Sequence, residues 1–225
     1  MLSDVQAYLS RRENLNSVVV DYIKEAILSG EYKVGDHVNE SEVANRLGIS
    51  RAPVREAIRE LENDGILTTL PRKGTYVTEY SLDDIKEVFD IRLLLENNIN
   101  KILIYENKLT EDDFNHLEQI VKDMVNIAES SMDNNKKSLL INKKDMDFHR
   151  FIWQRSGSQR RVKILESMFF QLRIAMLYDM LKTGDLIMSA TDHYEIIESL
   201  RSKDIDRCKN ALRGHIISYK DGIFK

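Results

Sequence analysis

At 225 residues, the chain is long enough for one large domain or two small ones. Hydrophobic residues make up 42 % and charged residues 31 %, and no run of about 18 apolar residues occurs, so a membrane-spanning helix is excluded. The formal net charge of −4 does not suggest a general nucleic-acid coat protein, though it leaves a specific DNA binder open, and the single cysteine, Cys208, excludes an intrachain disulfide framework or a four-cysteine zinc site. Met1–Asn14 lack the apolar stretch of a signal peptide, so a cytoplasmic protein with no membrane partner is expected.

Both prolines, Pro53 and Pro71, and five of the nine glycines precede Tyr80; beyond it the texture turns to long helical periodicities. Three segments are expected: an N-terminal extension (1–15), a small domain (16–79) and a helical domain (82–221). In the first, Val18–Leu28 repeats apolar residues at helical spacing, with Gly30 as C-cap. Asn39 caps a helix from Glu40 to Leu47, with Glu42 as its capping-box partner, and Gly48 ends it. Ser50 caps the next helix, which holds Pro53 in its first turn and runs to about Asp64. Ile66–Leu70 and Thr75–Thr78 read as a hairpin around a turn at Pro71–Gly74. The second half reads as about six helices, near 82–106, 110–130, 137–156, 159–181, 185–201 and 204–221, hence an antiparallel bundle. Thr110 with Asp113 suggests a cap, and Gly157, Gly184 and Ser202 mark breaks.

The chemistry of the first half lies in the helix after Ser50. Arg51, Arg55 and Arg59 recur every four residues and share one face, while Val54, Ala57, Ile58 and Leu61 face a core. Arginines near a helix N-terminus suit bidentate contacts to guanine edges or phosphate clamping. Arg72 and Lys73 stand at the hairpin tip, where a wing would touch DNA. Against this, residues 1–80 carry 10 Lys and Arg but 13 Asp and Glu, and the arginines have Glu56, Glu60 and Glu62 nearby as partners on a solvated face.

The stretch Asn39-Glu-Ser-Glu-Val-Ala-Asn-Arg-Leu-Gly-Ile-Ser-Arg-Ala-Pro-Val-Arg-Glu-Ala-Ile-Arg-Glu-Leu-Glu-Asn-Asp-Gly65 resembles the GntR family of bacterial regulators. Leu70-Pro-Arg-Lys-Gly-Thr-Tyr-Val77 resembles that family's wing. The resemblance implies a winged helix-turn-helix, a homodimer and double-stranded operator DNA as partner. It makes Arg51 and Arg55 the base-reading arginines and Gly74 the wing glycine. Where some members carry an arginine early in the preceding helix this chain has Ser41, with Arg46 further along.

In the second half Asp145 and His149 are four apart on one helix. His193 lies nine residues before the turn at Ser202 and His215 thirteen after it, so the two can converge if their helices are staggered. One carboxylate and three imidazoles suit zinc, nickel, manganese or another divalent ion. Each has an ordinary reading as well: Asp145 on a solvated face, His149 stacked on Trp153, His193 beside a cap, His215 half-buried. His37 and His116 read as surface or structural residues. Arg92, in an otherwise apolar helix, needs an anion, with Glu96 four residues on as the structural partner. Arg173 is a second such cation. Phe148, Phe151, Trp153, Phe169, Phe170 and Tyr178 read as core.

Residues 82–221 resemble the helical effector domain of the FadR-like branch, with Ile91–Glu96 similar to its opening helix. The resemblance implies that Asp145, His149, His193 and His215 are metal ligands, and that the metal helps hold a small organic acid, a carboxylate, beside Arg92 or Arg173. Six helices rather than seven resemble the vanillate-regulator subgroup; Gly157-Ser158 replaces its usual Gly-Asn. The expected function is a ligand-responsive DNA-binding regulator, a repressor rather than an enzyme. The alternatives are a metal-dependent hydrolase and a DNA-binding dimer with a purely structural metal.

Overall fold

Asn14 opens the first helix by accepting from the Asn16 amide, and α1 (Leu15–Leu28) follows in the computed structural model, which describes residues 14–183 and 185–223. Most of the expected N-terminal extension, the side chain of Tyr178 and Gly184 lie outside the described residues. Helices α2 (Glu40–Leu47) and α3 (Arg51–Asn63) are joined by Gly48, whose φ of 67° is a left-handed turn that a side chain would strain. Asn39 accepts from the Ser41 and Glu42 amides; no return bond from Glu42 is recorded among the described residues, so Asn39 caps α2 without the expected box. Ser50 stands at the N-cap of α3 with extended backbone, but its hydroxyl makes no cap hydrogen bond, contrary to expectation.

Strands β1 (Leu67–Leu70) and β2 (Gly74–Val77) pair antiparallel, Leu67 opposite Val77 and Leu70 opposite Gly74. The loop before α2 adds to this hairpin: the Val38 amide donates to Thr75, and the Val77 amide to Asp36. Val19, Ile23, Val54, Ala57, Leu61, Ile66 and Leu67 form the buried centre, which explains why the apolar faces of α1 and α3 turn inward and leave the arginines outside.

The chain divides between Tyr80 and Ser81 into two compact units. The second opens with a capping box, Ser81 with Asp84, at α4 (Leu82–Tyr105). Thr110 and Asp113 form the corresponding box at α5 (Glu111–Glu129). Helix α6 (Asn134–Arg155) starts earlier than its apolar pattern suggests, because Asp133 accepts from the Lys136 amide. It packs between α5 and α7 (Gln159–Thr183). The expected fifth helix is two pieces, α8 (Leu186–Thr191) and α9 (His193–Arg201), parted at Asp192. The backbone of Asp192 stays helical (φ −63°, ψ −21°), so the apolar periodicity runs through; its amide still bonds to the Met188 carbonyl, while the Glu195 amide makes the tighter three-residue bond to the Asp192 carbonyl. Helix α10 (Ile205–Ile223) packs on α4, α7 and α9. Trp153, Phe148, Leu117, Ile141 and Met146 are fully buried in the bundle, and Phe170 and Cys208 are also inside. Burial pushes the Cys208 thiol pKa up. Among the described residues no helix is long and apolar enough to cross a membrane.

Candidate nucleic-acid interface and candidate metal centre

Arg51 and Arg55 emerge from the first two turns of α3 with more than half of each side chain exposed. Their acidic partner is none of the three glutamates on their own helix. Glu40, the first residue of α2, accepts from Arg51 at 2.9 Å and from Arg55 at 3.3 and 3.1 Å. The Arg55 hydrogen bonds, then those of Arg51, hold the Glu40 carboxyl below the usual carboxylate range. Glu60 instead accepts from Asn16 on α1. Arg59 is exposed on the same helix. Arg46, also more than half exposed, pairs with Glu31 and donates to the Tyr22 hydroxyl. Glu40 went unnoticed in the sequence because it is 11 and 15 residues from its partners; its place in the first turn of α2 was the available signal.

The hairpin tip is built tightly. The Tyr76 hydroxyl donates to the Lys73 carbonyl at 2.9 Å, and the Lys73 amide to that of Leu70 at 3.0 Å. Arg72 adopts φ 64°, a left-handed conformation rare for a side chain of its size. Gly74 has φ 113°, and a Cβ there would lie 2.3 Å from Nε2 of His37. His37 is thus more than a surface residue: its ring lies against Tyr76, 5.2 Å between centroids, and closes over the wing glycine. His116, likewise, tilts onto Phe151 at 4.6 Å.

In the helical unit α6, α9 and α10 bring Asp145, His149, His193 and His215 together, one ligand atom from each lying within 4.8 Å of the others. All four are buried, which removes the solvated reading of Asp145. His149 does not stack on Trp153, whose ring contact is Phe169; it lies nearly parallel to His215, 5.0 Å away. His193 and His215 reach each other, 4.4 Å between centroids, despite their unequal distances from the turn.

Two carboxylates frame these rings from outside. Nδ1 of His149 faces Glu96 at 2.9 Å, and Nδ1 of His215 faces Asp192 at 3.0 Å. Nδ1 of His193 donates to the Ala190 carbonyl at 3.3 Å and approaches the other Asp192 oxygen to 3.1 Å, an ion-pair approach rather than a directed bond. Ionised carboxylates and carbonyls only accept, so the Nδ1 atoms carry protons, and in the neutral rings the Nε2 lone pairs converge. Nε2 of His149 and Nε2 of His215 are 3.0 Å apart, a separation that two lone pairs tolerate only around a cation or a proton. Asp145 adds a carboxylate oxygen 3.0 Å from Nε2 of His193 and 3.6 Å from that of His215. Three imidazole nitrogens and one carboxylate, each ring backed by an acceptor, fit a divalent metal ion.

The charges follow the geometry. Burial works to raise the Glu96 pKa, but Arg92 and His149 bring it down to about 2. Burial lowers His149 to about 4. His193 is also penalised by burial, yet Asp145 and Asp192 raise it to about 10, so a proton serves as the counter-charge in the metal-free chain. Asp145 and Asp192 are held well below the carboxylate range by the imidazoles, against their own burial.

Arg92 is fully buried and donates to Glu96 at 2.5 Å, the structural partner named in the sequence. It also donates to the Met176 sulfur at 3.5 Å. Arg92 thus backs Glu96, which in turn faces Nδ1 of His149. Arg173 is half-buried and donates to Asn142, one turn before Asp145 on α6. A cleft of about 300 Å³ on the α5–α6 face is lined by His116, Lys144, Asp147 and Arg150, and by neither Arg92 nor Arg173.

A winged helix-turn-helix followed by a helical bundle is the architecture of a DNA-binding transcription regulator. Residues 15–77 match the family described as bacterial regulatory proteins, gntR family, and residues 87–218 match the FCD domain. The chain belongs to the GntR family, in the branch that carries an FCD domain. It is similar to the HTH-type transcriptional regulator YdhC of Bacillus subtilis, 27 % identical over 88 % of this chain and 84 % of the relative. It is also similar to a probable D-xylose utilization operon transcriptional repressor of Paenarthrobacter nicotinovorans, 25 % identical over 92 % of this chain and 88 % of that one. Among solved structures it shares the fold of Escherichia coli McbR/YncC, with a TM-score of 0.80 and 20 % identity over 94 % of this chain and 98 % of that chain. These relatives are regulators, and the hydrolase reading is set aside.

Proposed function

We propose that the chain is a homodimeric repressor whose operator affinity is set by a divalent metal ion and a small organic acid in the helical unit. The observation that carries this reading is the convergence of Asp145, His149, His193 and His215 within 4.8 Å, each ring backed by an acceptor. When bound, the metal supplies a positive centre for a carboxylate ligand. Arg173 of α7, which donates to Asn142 one α6 turn before Asp145, is the cation that would meet the same acid. Arg51 and Arg55 read base edges from the major groove, and Arg59, Arg72 and Lys73 contact phosphate. The N–H groups of the first turn of α3, which Ser50 does not cap, face the same partner. Metal, acid and DNA are coupled by linkage, so the acid must change DNA affinity as much as DNA changes acid affinity.

The test begins with an operator fragment selected from random-sequence DNA. Metal-free and metal-loaded protein are titrated against it, with zinc, nickel or manganese and a panel of small carboxylates. Metal-dependent release of DNA by one acid supports the reading. Equal DNA affinity in every condition would leave a DNA-binding dimer without a sensor. Full burial of the ligands favours that second reading, in which the ion only holds α6, α9 and α10 together; it expects metal to raise the melting temperature and no acid to alter DNA binding.

A further inference from the structure

We infer that Asp192 is a positioning residue that sets two of the three imidazoles of the metal centre at once. This rests on the reading of Asp145, His149, His193 and His215 as ligands. Asp192 joins α8 to α9, and its two oxygens face different rings. Oδ2 accepts from Nδ1 of His215 at 3.0 Å, and Oδ1 lies 3.1 Å from Nδ1 of His193. The third ring, His149, has a separate carboxylate, Glu96, itself tied to Arg92. A proton kept on Nδ1 leaves Nε2 as the lone pair that can ligate. Asp192 is thus the shared orienting group for one ligand on α9 and another on α10.

The isosteric change Asp192→Asn tests this. An amide has one oxygen, and whichever way it turns, its NH₂ confronts the N–H of one of the two rings. One imidazole must then rotate or move its proton to Nε2, where it blocks ligation. Although about 29 % of the Asp192 side chain is exposed, Oδ1 itself is buried, so an NH₂ placed there has no water to turn to. Full-length wild-type, Asp192→Asn and Asp192→Glu chains are stripped with chelator and titrated with zinc against a chromogenic chelator at fixed pH. Histidine ¹⁵N spectra of the zinc-free chains are recorded alongside.

The expected result is a loss of zinc affinity of about 10- to 100-fold in Asp192→Asn, as for loss of an outer carboxylate, with recovery in Asp192→Glu. The ¹⁵N pattern should change at His193 or His215 and stay as in wild type at His149. Wild-type affinity and an unchanged pattern in Asp192→Asn overturn the inference. Wild type that binds no zinc sinks the metal reading instead, and the ¹⁵N pattern still decides the role of Asp192. If Asp192→Asn does not melt cooperatively, Asp192→Ser, which removes both carboxylate oxygens without adding an NH₂ group, is read against the same outcomes.

Discussion

Glu40 and Arg55 form a two-pronged pair, at 3.3 and 3.1 Å, and the same carboxylate also holds Arg51. One acid at the start of α2 therefore fixes both arginines expected to read bases. Replacing Glu40 with Ala frees both forks and removes a negative charge from the DNA-facing side. Affinity for random DNA should rise, while the ratio of operator to random-DNA affinity should fall by roughly 10-fold, the worth of about one base contact. Competition titrations at two salt concentrations measure this; an unchanged ratio would count against positioning by Glu40. Arg51→Ala and Arg55→Ala should each lose about 1–3 kcal/mol of operator binding with little change on random DNA.

The wing offers a second check. Gly74→Ala meets two obstacles, the positive φ and the His37 imidazole 2.3 Å from the new Cβ. A destabilisation of about 1–3 kcal/mol is expected from denaturant melts. Adding His37→Ala should relieve the clash but not the backbone strain, so the double variant should recover only part. Full recovery would show that the backbone tolerates alanine there.

For the buried pair, Arg92→Met leaves Glu96 ionised in the core with His149 as its remaining recorded partner. Breaking such a pair costs about 3–5 kcal/mol. The double variant Arg92→Met with Glu96→Gln should regain a large part of this while still weakening metal binding through His149. If Arg92 instead serves only an acid ligand, the single variant should melt like wild type.

Acidity acts through the same cluster, with a sign fixed by each shift. Glu96 is depressed from 4.5 to about 2, so its contribution is complete above pH 4.5 and is lost as pH falls toward 2. His149 is depressed from 6.5 to about 4, and its contribution is likewise lost as pH falls from 6.5 through 4. His193 is raised from 6.5 to about 10; its contribution is complete below 6.5 and lost as pH rises through 10. The metal-free helical unit should be most stable near pH 6.5 and weaken on both sides. Zinc bound at the proposed site would replace the His193 proton, so a loaded chain should keep its melting temperature up to pH 9. Melts across pH 4 to 9, with chelator and with zinc, test this; a flat metal-free profile would contradict it.

Much of this was legible along the chain. The helix, turn, helix and hairpin of the first unit follow from local signals: apolar spacing, Gly48, Pro53 and the Pro71–Gly74 turn. Asp145 and His149 share a face because they are four apart, and the family resemblance pointed to His193 and His215. What stayed hidden depends on contacts distant in sequence. Glu56, Glu60 and Glu62 are nearer to Arg51 and Arg55 in sequence, yet the partner is Glu40, brought in by the turn at Gly48. The junction at Asp192 left no trace in the apolar pattern, since its dihedrals remain helical and its partner His215 lies 23 residues away.

Cys208 is the only thiol in the chain, and it is buried and shifted away from its reactive thiolate form. Alkylating reagents will find it slow to modify. Wild type is therefore a near-silent background for a single introduced cysteine, for example at exposed Thr68 on β1. A fluorophore there would report the wing alone, without the customary first step of stripping native thiols.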